Sequence, residues 1–161
     1  MKILLLLYDG LSSRKAEVLK QLEENYRFIR KRLGLDTVYA TVTQDFTELL
    51  RKFPELCFIP SPGSLRQSVY KGLKKLKDAD VLLVDGGSKL EPEGVKLLLK
   101  NRVLALVTKN GRWAGLAYVP LREVKYLIKS AERQGLESVT AMFEFLKNGY
   151  ALSYATYELG G

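Results

Sequence analysis

The sequence predicts an α/β fold, a three-layer, doubly wound, mostly parallel β-sheet with some antiparallel strands. Short apolar or β-branched runs alternate with segments of helical period through most of the 161 residues, which is the order that strand–helix–strand units produce. Late in this alternation, Asn110-Gly111 is a tight-turn signal between two strand-like runs and favours one antiparallel pair. The length suits a single domain over residues 1–161.

The predicted strands are runs rich in apolar and β-branched residues. In chain order they are Ile3–Tyr8, Thr37–Val42, Leu56–Ile59, Val81–Val84, Val103–Val107, Trp113–Val119 and Tyr150–Tyr157. The fourth run is continuous and apolar, as expected for a strand that is buried on both faces of a parallel sheet.

The predicted helices begin at capping residues, at prolines or, in one case, after a turn-rich loop. The first starts at Ser12 or Ser13, a good N-cap, and runs through Leu33 to stop at Gly34. The others run from Asp45 to Lys52, Leu65 to Leu76, Pro92 to Lys100, Pro120 to Arg133 and Ser138 to Lys147.

The composition excludes several kinds of catalytic site. There is no histidine and Cys57 is the single cysteine, so zinc sites and Cys–His or Ser–His nucleophilic pairs are excluded. Catalysis would use carboxylates, Lys, Arg, Tyr or hydroxyl groups, with or without a hard ion such as Mg²⁺. The longest apolar run, Ile3–Leu7, is far too short to span a bilayer, so we expect no membrane segment and a cytoplasmic location. Many Lys, Arg and Glu beside few Asn, Gln and Met favour a thermophilic source.

The charge favours anionic partners. The chain carries 26 basic and 18 acidic residues, a net charge of +8. We expect a nucleoside triphosphate or another phosphorylated small molecule. The dense basic groups, 27–32 and 71–77, fall at ends of predicted helices, where cations suit the helix dipole. Solvated helix faces are therefore favoured and nucleic acid is disfavoured as a partner. A homodimer stays open as the oligomeric state.

The first loop is the clearest candidate for phosphate binding. In doubly wound sheets, ligands bind beyond the carboxyl ends of the strands. Gly10, Ser12, Ser13 and Arg14 follow the first strand and precede a predicted helix. Glycine permits close approach of a phosphate, a helix N-terminus offers N–H donors, and arginine adds a forked donor. The alternative is ordinary turn and capping chemistry.

Two aspartates suggest a metal position. Asp9 follows the first strand and Asp85 follows the fourth. If these strands are neighbours, the two carboxylates end side by side and could hold Mg²⁺ with the phosphates of a nucleotide. The alternative is that Asp85 only begins the turn Asp85-Gly86-Gly87.

Two stretches carry a family resemblance. Residues 63–73 (GSLRQSVYKGL) and 79–90 (ADVLLVDGGSKL) resemble the central region of nucleotidyltransferases of the glycosyltransferase-A type, which have the nucleotide-diphospho-sugar transferase fold. Within that group they look most like methylerythritol-phosphate cytidylyltransferases. The loop Gly10–Arg14 is similar to the glycine-rich nucleotide loop of molybdenum cofactor guanylyltransferases.

The resemblance implies roles for particular residues. Asp85 would bind the metal, and Arg66 and Ser68 would stand on the substrate loop. A phosphate-binding lysine would be Lys15 or Lys20, and a second metal carboxylate would be Glu158.

The function implied is transfer of a nucleoside monophosphate group from a nucleoside triphosphate to a phosphorylated acceptor with Mg²⁺, with Arg14 and Asp85 as catalytic residues. Asp9 stands where the family has a loop glycine, so a catalytically degenerate module that binds or regulates stays open as an alternative. A basic, nucleic-acid-associated protein is the second alternative.

Overall fold

A computed structural model describes residues 1–35 and 37–160, without the side chain of Leu50. The predicted fold class is confirmed: one seven-stranded, mostly parallel sheet lies between two layers of helices. No helix in the described part of the chain is long and apolar enough to cross a membrane.

The strands in chain order are β1 Lys2–Leu6, β2 Val38–Val42, β3 Leu56–Pro60, β4 Val81–Asp85, β5 Ala105–Lys109, β6 Arg112–Val119 and β7 Ala155–Leu159. The α-helices are α1 Lys15–Phe28, α2 Leu49–Lys52, α3 Leu65–Lys75, α4 Pro92–Asn101, α5 Leu121–Ala131 and α6 Val139–Tyr150. A 3₁₀ segment, Asp9–Arg14, precedes α1, and a π-helical turn, Ile29–Leu33, follows it.

The strand order is β3-β2-β1-β4-β6-β5-β7, and β6 alone among these strands runs antiparallel to its neighbours. Strands β1 and β4 are therefore central and adjacent. Side chains of β1 alternate between the two core layers, with Ile3 and Leu5 facing α1, α2 and α4, and Leu4 and Leu6 facing α3, α5 and α6. Burial on both faces explains why these strands are apolar throughout.

The antiparallel pair is joined by the predicted tight turn. Asn110 and Gly111 both have positive φ, 53° and 74°, as a two-residue type I′ hairpin requires. Lys109 pairs with Arg112 across this turn. The hairpin places β6 next to β4, so the start of β6 lies beside the loop after β4.

The predicted start of the first helix is wrong. Residues 12 and 13 lie in the 3₁₀ segment, and α1 begins only at Lys15 without a side-chain cap. The physical reason is that the Ser12 hydroxyl donates to the carboxylate of Asp45 at 2.6 Å instead of accepting a backbone N–H. Asp45 is likewise inside a short 3₁₀ turn and caps no helix.

Two predicted strands are displaced along the chain. The fifth begins at Ala105, two residues later than predicted. The last was expected at 150–157, but α6 extends to Tyr150 and β7 begins at Ala155. Tyr150 packs on the rings of Tyr126 and Phe145 at centroid distances of 5.0 and 5.8 Å, and these contacts hold it in the helix.

Candidate functional site

The tips of β1 and β4 form one surface. The two strands are parallel neighbours with Leu6 opposite Asp85, and the N–H of Gly86 donates to the carbonyl of Leu6 at 2.8 Å. This confirms the adjacency on which the predicted site depends. A Cβ added to Gly87 would lie 2.8 Å from a Leu11 methyl and 3.2 Å from an Arg14 guanidinium nitrogen. The loop after β4 therefore touches the 3₁₀ segment after β1.

The carboxylate of Asp85 is buried and oriented. Asp85 is only 8% exposed. One carboxylate oxygen accepts the Ser88 hydroxyl at 2.7 Å, and the other accepts the Gly87 N–H at 3.4 Å. The Tyr8 hydroxyl lies near the same carboxylate, whose charge raises the pKa of Tyr8. These donors compensate the burial of a charge, which would otherwise be costly.

The hydroxyl of Tyr8 remains protonated at neutral pH. Burial raises the pKa of Tyr8 well above its usual value, and the negative charge of Asp85 and the hydrogen bond to it raise this pKa further. The nearby charge of Arg14 lowers the pKa of Tyr8, but less than the other effects raise it. The pKa of Tyr8 thus responds to both charged groups of the site, Asp85 and Arg14.

Gly115 lets the loop after β4 lie against β6. Its φ is +84°, and an added Cβ would stand 2.8 Å from the Cβ of Ser88 and 3.2 Å from the Cβ of Asp85. Distances below 3.0 Å are not tolerated by real Cβ atoms, so only glycine fits without a shift of Ser88. Gly115 therefore sets how closely the carboxylate loop approaches the sheet.

Arg14 is exposed at the end of the 3₁₀ segment. It makes no ion pair or side-chain hydrogen bond with any residue in the described ranges 1–35 and 37–160. Ser13 and Gly10 are exposed as well, with Gly10 next to the ring of Tyr8. Ser12 is bound to Asp45, as described above. The loop thus offers one cation and an exposed hydroxyl to an anion.

Asp9 lies against the loop that precedes α3. Its N–H donates to the carbonyl of Gly63 at 2.6 Å, and its carboxylate fills the place that a Gly63 side chain would need. No group of three or more Asp, Glu, Cys or His residues suited to a metal occurs among the described residues. The strand adjacency is confirmed, but a metal shared by Asp9 and Asp85 stays a prediction.

Arg66 and Ser68 lie on α3, and both side chains have partners within the fold. The guanidinium of Arg66 binds Glu137 at 3.0 Å and the carbonyl of Ala131 at 2.8 Å. The fully buried Ser68 hydroxyl donates to the carbonyl of Leu7 at 3.1 Å. The structure does not bring either side chain to Arg14 or Asp85, and their predicted contact with a ligand stays a prediction.

The other residues implied by the resemblance lie apart from Asp85. Lys15 forms an ion pair with Glu48 at 3.3 Å, and Lys20 is exposed further along α1. Glu158 is on β7, three strands from β4 and hence about 14 Å away across the sheet, where it accepts the N–H of Gly111 at 2.8 Å. Glu158 is therefore too distant to share a metal with Asp85.

Four residues of the site had no role assigned from the sequence. Ser88 and Gly115 carried usable signals, since a hydroxyl three residues after an aspartate suits a turn and glycine inside a strand marks close approach. Asn25 lies on the apolar face of α1 between Leu22 and Ile29, where a polar residue is out of pattern. The role of Tyr8 depends on contacts between residues far apart in the chain, so no pattern in the neighbouring sequence could indicate it.

A cleft and a groove in the described part of the chain lie outside this site. A cleft of about 750 Å³ lies at the ends of β2 and β3, where Thr43, Pro60 and Lys71 are among its lining residues. A groove of about 520 Å³ between α1 and the turn after α2 includes part of the first basic group, Arg27, Arg30 and Lys31. Within that groove Glu23 pairs with Arg27 and Lys52, so its positive charge is partly neutralised.

No protein-family model matches the chain. No curated protein matches its sequence. Solved structures do match its fold. They include 4-diphosphocytidyl-2C-methyl-D-erythritol synthase from Anaerococcus prevotii, at 13% identity, 98% coverage of this chain, 86% coverage of that chain and a TM-score of 0.68.

Molybdopterin-guanine dinucleotide biosynthesis protein A from Archaeoglobus fulgidus matches at 15% identity, 98% and 83% coverage and a TM-score of 0.64. A candidate glucose-1-phosphate thymidylyltransferase from Bacillus anthracis matches at 11% identity, 100% and 87% coverage and a TM-score of 0.67. These matches confirm the predicted resemblance at the level of the fold: the chain has a nucleotidyltransferase-like fold with a divergent sequence.

Proposed function

We propose that the chain binds a nucleoside triphosphate with Mg²⁺ and transfers a nucleoside monophosphate group to a phosphorylated acceptor. One juxtaposition supports the proposal. The Arg14 guanidinium lies beside Gly87, in the loop that begins with the buried carboxylate of Asp85. An exposed cation next to an oriented carboxylate suits a phosphate group that carries a metal ion.

Asp85 fits the position of a single protein ligand to Mg²⁺. In nucleotide sites, Mg²⁺ often takes one or two carboxylates and completes its octahedron with phosphate oxygens and water. Each oxygen of Asp85 keeps lone-pair capacity after accepting from Ser88 and Gly87. When bound, the ion would offset negative charge on the phosphates. The Ser88 hydroxyl and the Gly87 N–H would hold the carboxylate in one orientation for it.

The loop after β1 would hold the phosphates. Gly10 has no side chain to obstruct them, Ser13 offers an exposed hydroxyl, and Arg14 can donate two parallel hydrogen bonds to phosphate oxygens. In the transfer, an acceptor phosphate oxygen bonds to the α-phosphorus while the bond to the β-phosphate oxygen breaks, and pyrophosphate leaves. Arg14 would offset the charge that develops on the α-phosphate.

A second candidate is a module that binds a nucleotide without transferring it. It is favoured by the partners of the residues that the resemblance implies for catalysis. Lys15 is paired with Glu48, and Glu158 is bound to the hairpin. In this case Arg14 and the loop still bind phosphate, but Mg²⁺ adds nothing.

A thermal-shift screen with the four nucleoside triphosphates, each with and without Mg²⁺, tests both candidates. At a nucleotide concentration of about 100 times Kd, binding stabilises the folded state by about 2.7 kcal/mol. For a chain of this size, that raises Tm by about 5–11 °C. We expect one nucleotide to give this full shift with Mg²⁺ and a smaller shift without it, and Asp85→Ala to abolish the difference between the two.

The matched control is Asp78→Ala, which removes an exposed carboxylate near the amino ends of β1 and β4, where it pairs with Lys2. This variant should keep the nucleotide shift. A shift that is equal with and without Mg²⁺ favours the binding module. If no nucleotide shifts Tm under either condition, both candidates are refuted.

A further inference from the structure

Asn25 is a buried amide in the middle of α1. It is 2% exposed and belongs to the face of α1 that contacts the sheet and the loop after β4. Its Nδ2 donates to the carbonyl of Ser88 at 2.8 Å. Its Oδ1 accepts the N–H of Leu90 at 3.0 Å and the side-chain amide of Gln21 at 3.0 Å. A polar side chain this deeply buried is compatible with a stable fold because these bonds satisfy it.

The residues held by Asn25 directly follow the Asp85 carboxylate. Ser88 is held on one side by Asn25. On the other side it packs against β6, because Gly115 has no side chain to keep it away. The Ser88 hydroxyl then donates to Asp85. The orientation of the carboxylate thus depends, through Ser88, on a side chain of α1.

The same helix begins at the phosphate loop. Arg14 immediately precedes α1, and Asn25 lies three turns further on, about 16 Å along the helix axis. A continuous helix transmits position along its axis, because its backbone hydrogen bonds fix the rise per residue. Asn25 therefore ties the segment that ends in Arg14 to the loop that begins with Asp85.

We propose that Asn25 is a positioning residue that makes phosphate binding at Arg14 and Mg²⁺ binding at Asp85 interdependent. This inference rests on the proposed function. Without the Asn25 bonds the loop 86–90 loses its fixed relation to α1. The nucleotide then still meets Arg14, but the Asp85 carboxylate no longer meets the metal on its phosphates.

The test compares nucleotide Kd with and without Mg²⁺, measured by calorimetry at a temperature where circular dichroism shows every variant folded. Wild-type protein should bind at least about fivefold more tightly with Mg²⁺. In Asn25→Ala this ratio should fall to about one, while Kd without Mg²⁺ changes by less than about twofold. A role in stability alone would not reduce the ratio.

Two further variants complete the design. Asn25→Asp keeps the size of the side chain and the acceptor for Leu90 but loses the donor to Ser88, so it should also reduce the ratio even where Asn25→Ala folds poorly. Asn101→Ala removes an exposed asparagine whose side chain bonds to Leu97 of its own helix, and should keep the wild-type ratio. A wild-type ratio in both Asn25 variants overturns the proposal.

Hydrogen exchange separates this failure from failure of the proposed function. Asn25→Ala should raise the exchange rate of the Leu90 amide, and Asn101→Ala should not. Unchanged protection of Leu90 overturns the positioning role whatever the protein binds. Faster exchange together with no nucleotide binding by the wild-type protein refutes the proposed function, and with it the interdependence of the two groups.

Discussion

Replacing Gly115 with alanine should disturb the site through a single methyl group. Gly115 lies on β6 with φ of +84°, which L-residues rarely adopt, and the new Cβ would stand 2.8 Å from the Cβ of Ser88. Two costs therefore add. The backbone conformation costs alanine about 1–2 kcal/mol, and forcing a methyl group into a filled space costs about 1–3 kcal/mol more.

Comparison with Gly135→Ala isolates the second cost, that of placing a methyl group in filled space. Gly135 also has a positive φ, +97°, but nothing lies within 4 Å of its added Cβ. This variant should lose only the backbone term of about 1–2 kcal/mol. Gly115→Ala should lose about 2–5 kcal/mol in total, which corresponds to about 4–20 °C in Tm for a chain of this size.

Urea unfolding of both variants, followed by circular dichroism, measures the difference. We expect Gly115→Ala to unfold with a free energy about 1–3 kcal/mol lower than Gly135→Ala. Equal losses of unfolding free energy in the two variants would show that Ser88 can shift away from the new methyl group at no cost. The claim that Gly115 fixes the distance between β6 and the loop after β4 would then be wrong.

Two further predictions concern stability. Burial raises the pKa of Asp80, but hydrogen bonds from the Tyr118 hydroxyl and the Leu121 N–H, with nearby positive charges, outweigh burial and lower that pKa overall. The contribution of Asp80 to stability is therefore present above its unfolded-state pKa and is lost as pH falls through its folded-state pKa. Between about pH 6 and about pH 3, Asp80→Asn should lose less unfolding free energy than the wild type does. An equal loss in the two proteins would contradict this. Ser64→Ala should lower the unfolding free energy by about 1 kcal/mol, because it removes the capping box of α3. Replacing the exposed Ser13 with alanine should change the unfolding free energy by less than about 0.5 kcal/mol. Urea unfolding measures both variants, and similar losses would argue against the cap.

Local patterns predicted most of the fold. The Asn110-Gly111 turn, the cap at Ser138 and the apolar runs of the central strands act through neighbouring residues. Errors arose where a distant partner overrides a local preference. Ser12 would cap a helix in isolation, but Asp45, 33 residues away, binds its hydroxyl.

The adjacency of the tips of β1 and β4 was predicted correctly, but the contacts of the side chains there were not. Strand order placed Arg14 and Asp85 near each other, because ligands collect at strand ends in this fold. Sequence could not show that the Asp9 carboxylate would lie against Gly63 or that Arg66 would bind Glu137. Both outcomes depend on side-chain directions that are set by packing between segments far apart in the chain.

The position of β5 has a consequence for synthesis of the protein. One edge of β5 pairs with β6, which follows at once through the hairpin, but the other edge pairs with β7, about fifty residues later. A ribosome adds these residues in about 3–10 seconds. During that interval the nascent chain exposes an apolar strand edge that can pair with another molecule. The yield of folded protein in a cell therefore depends on translation speed and chaperones, and not only on the stability of the finished sheet.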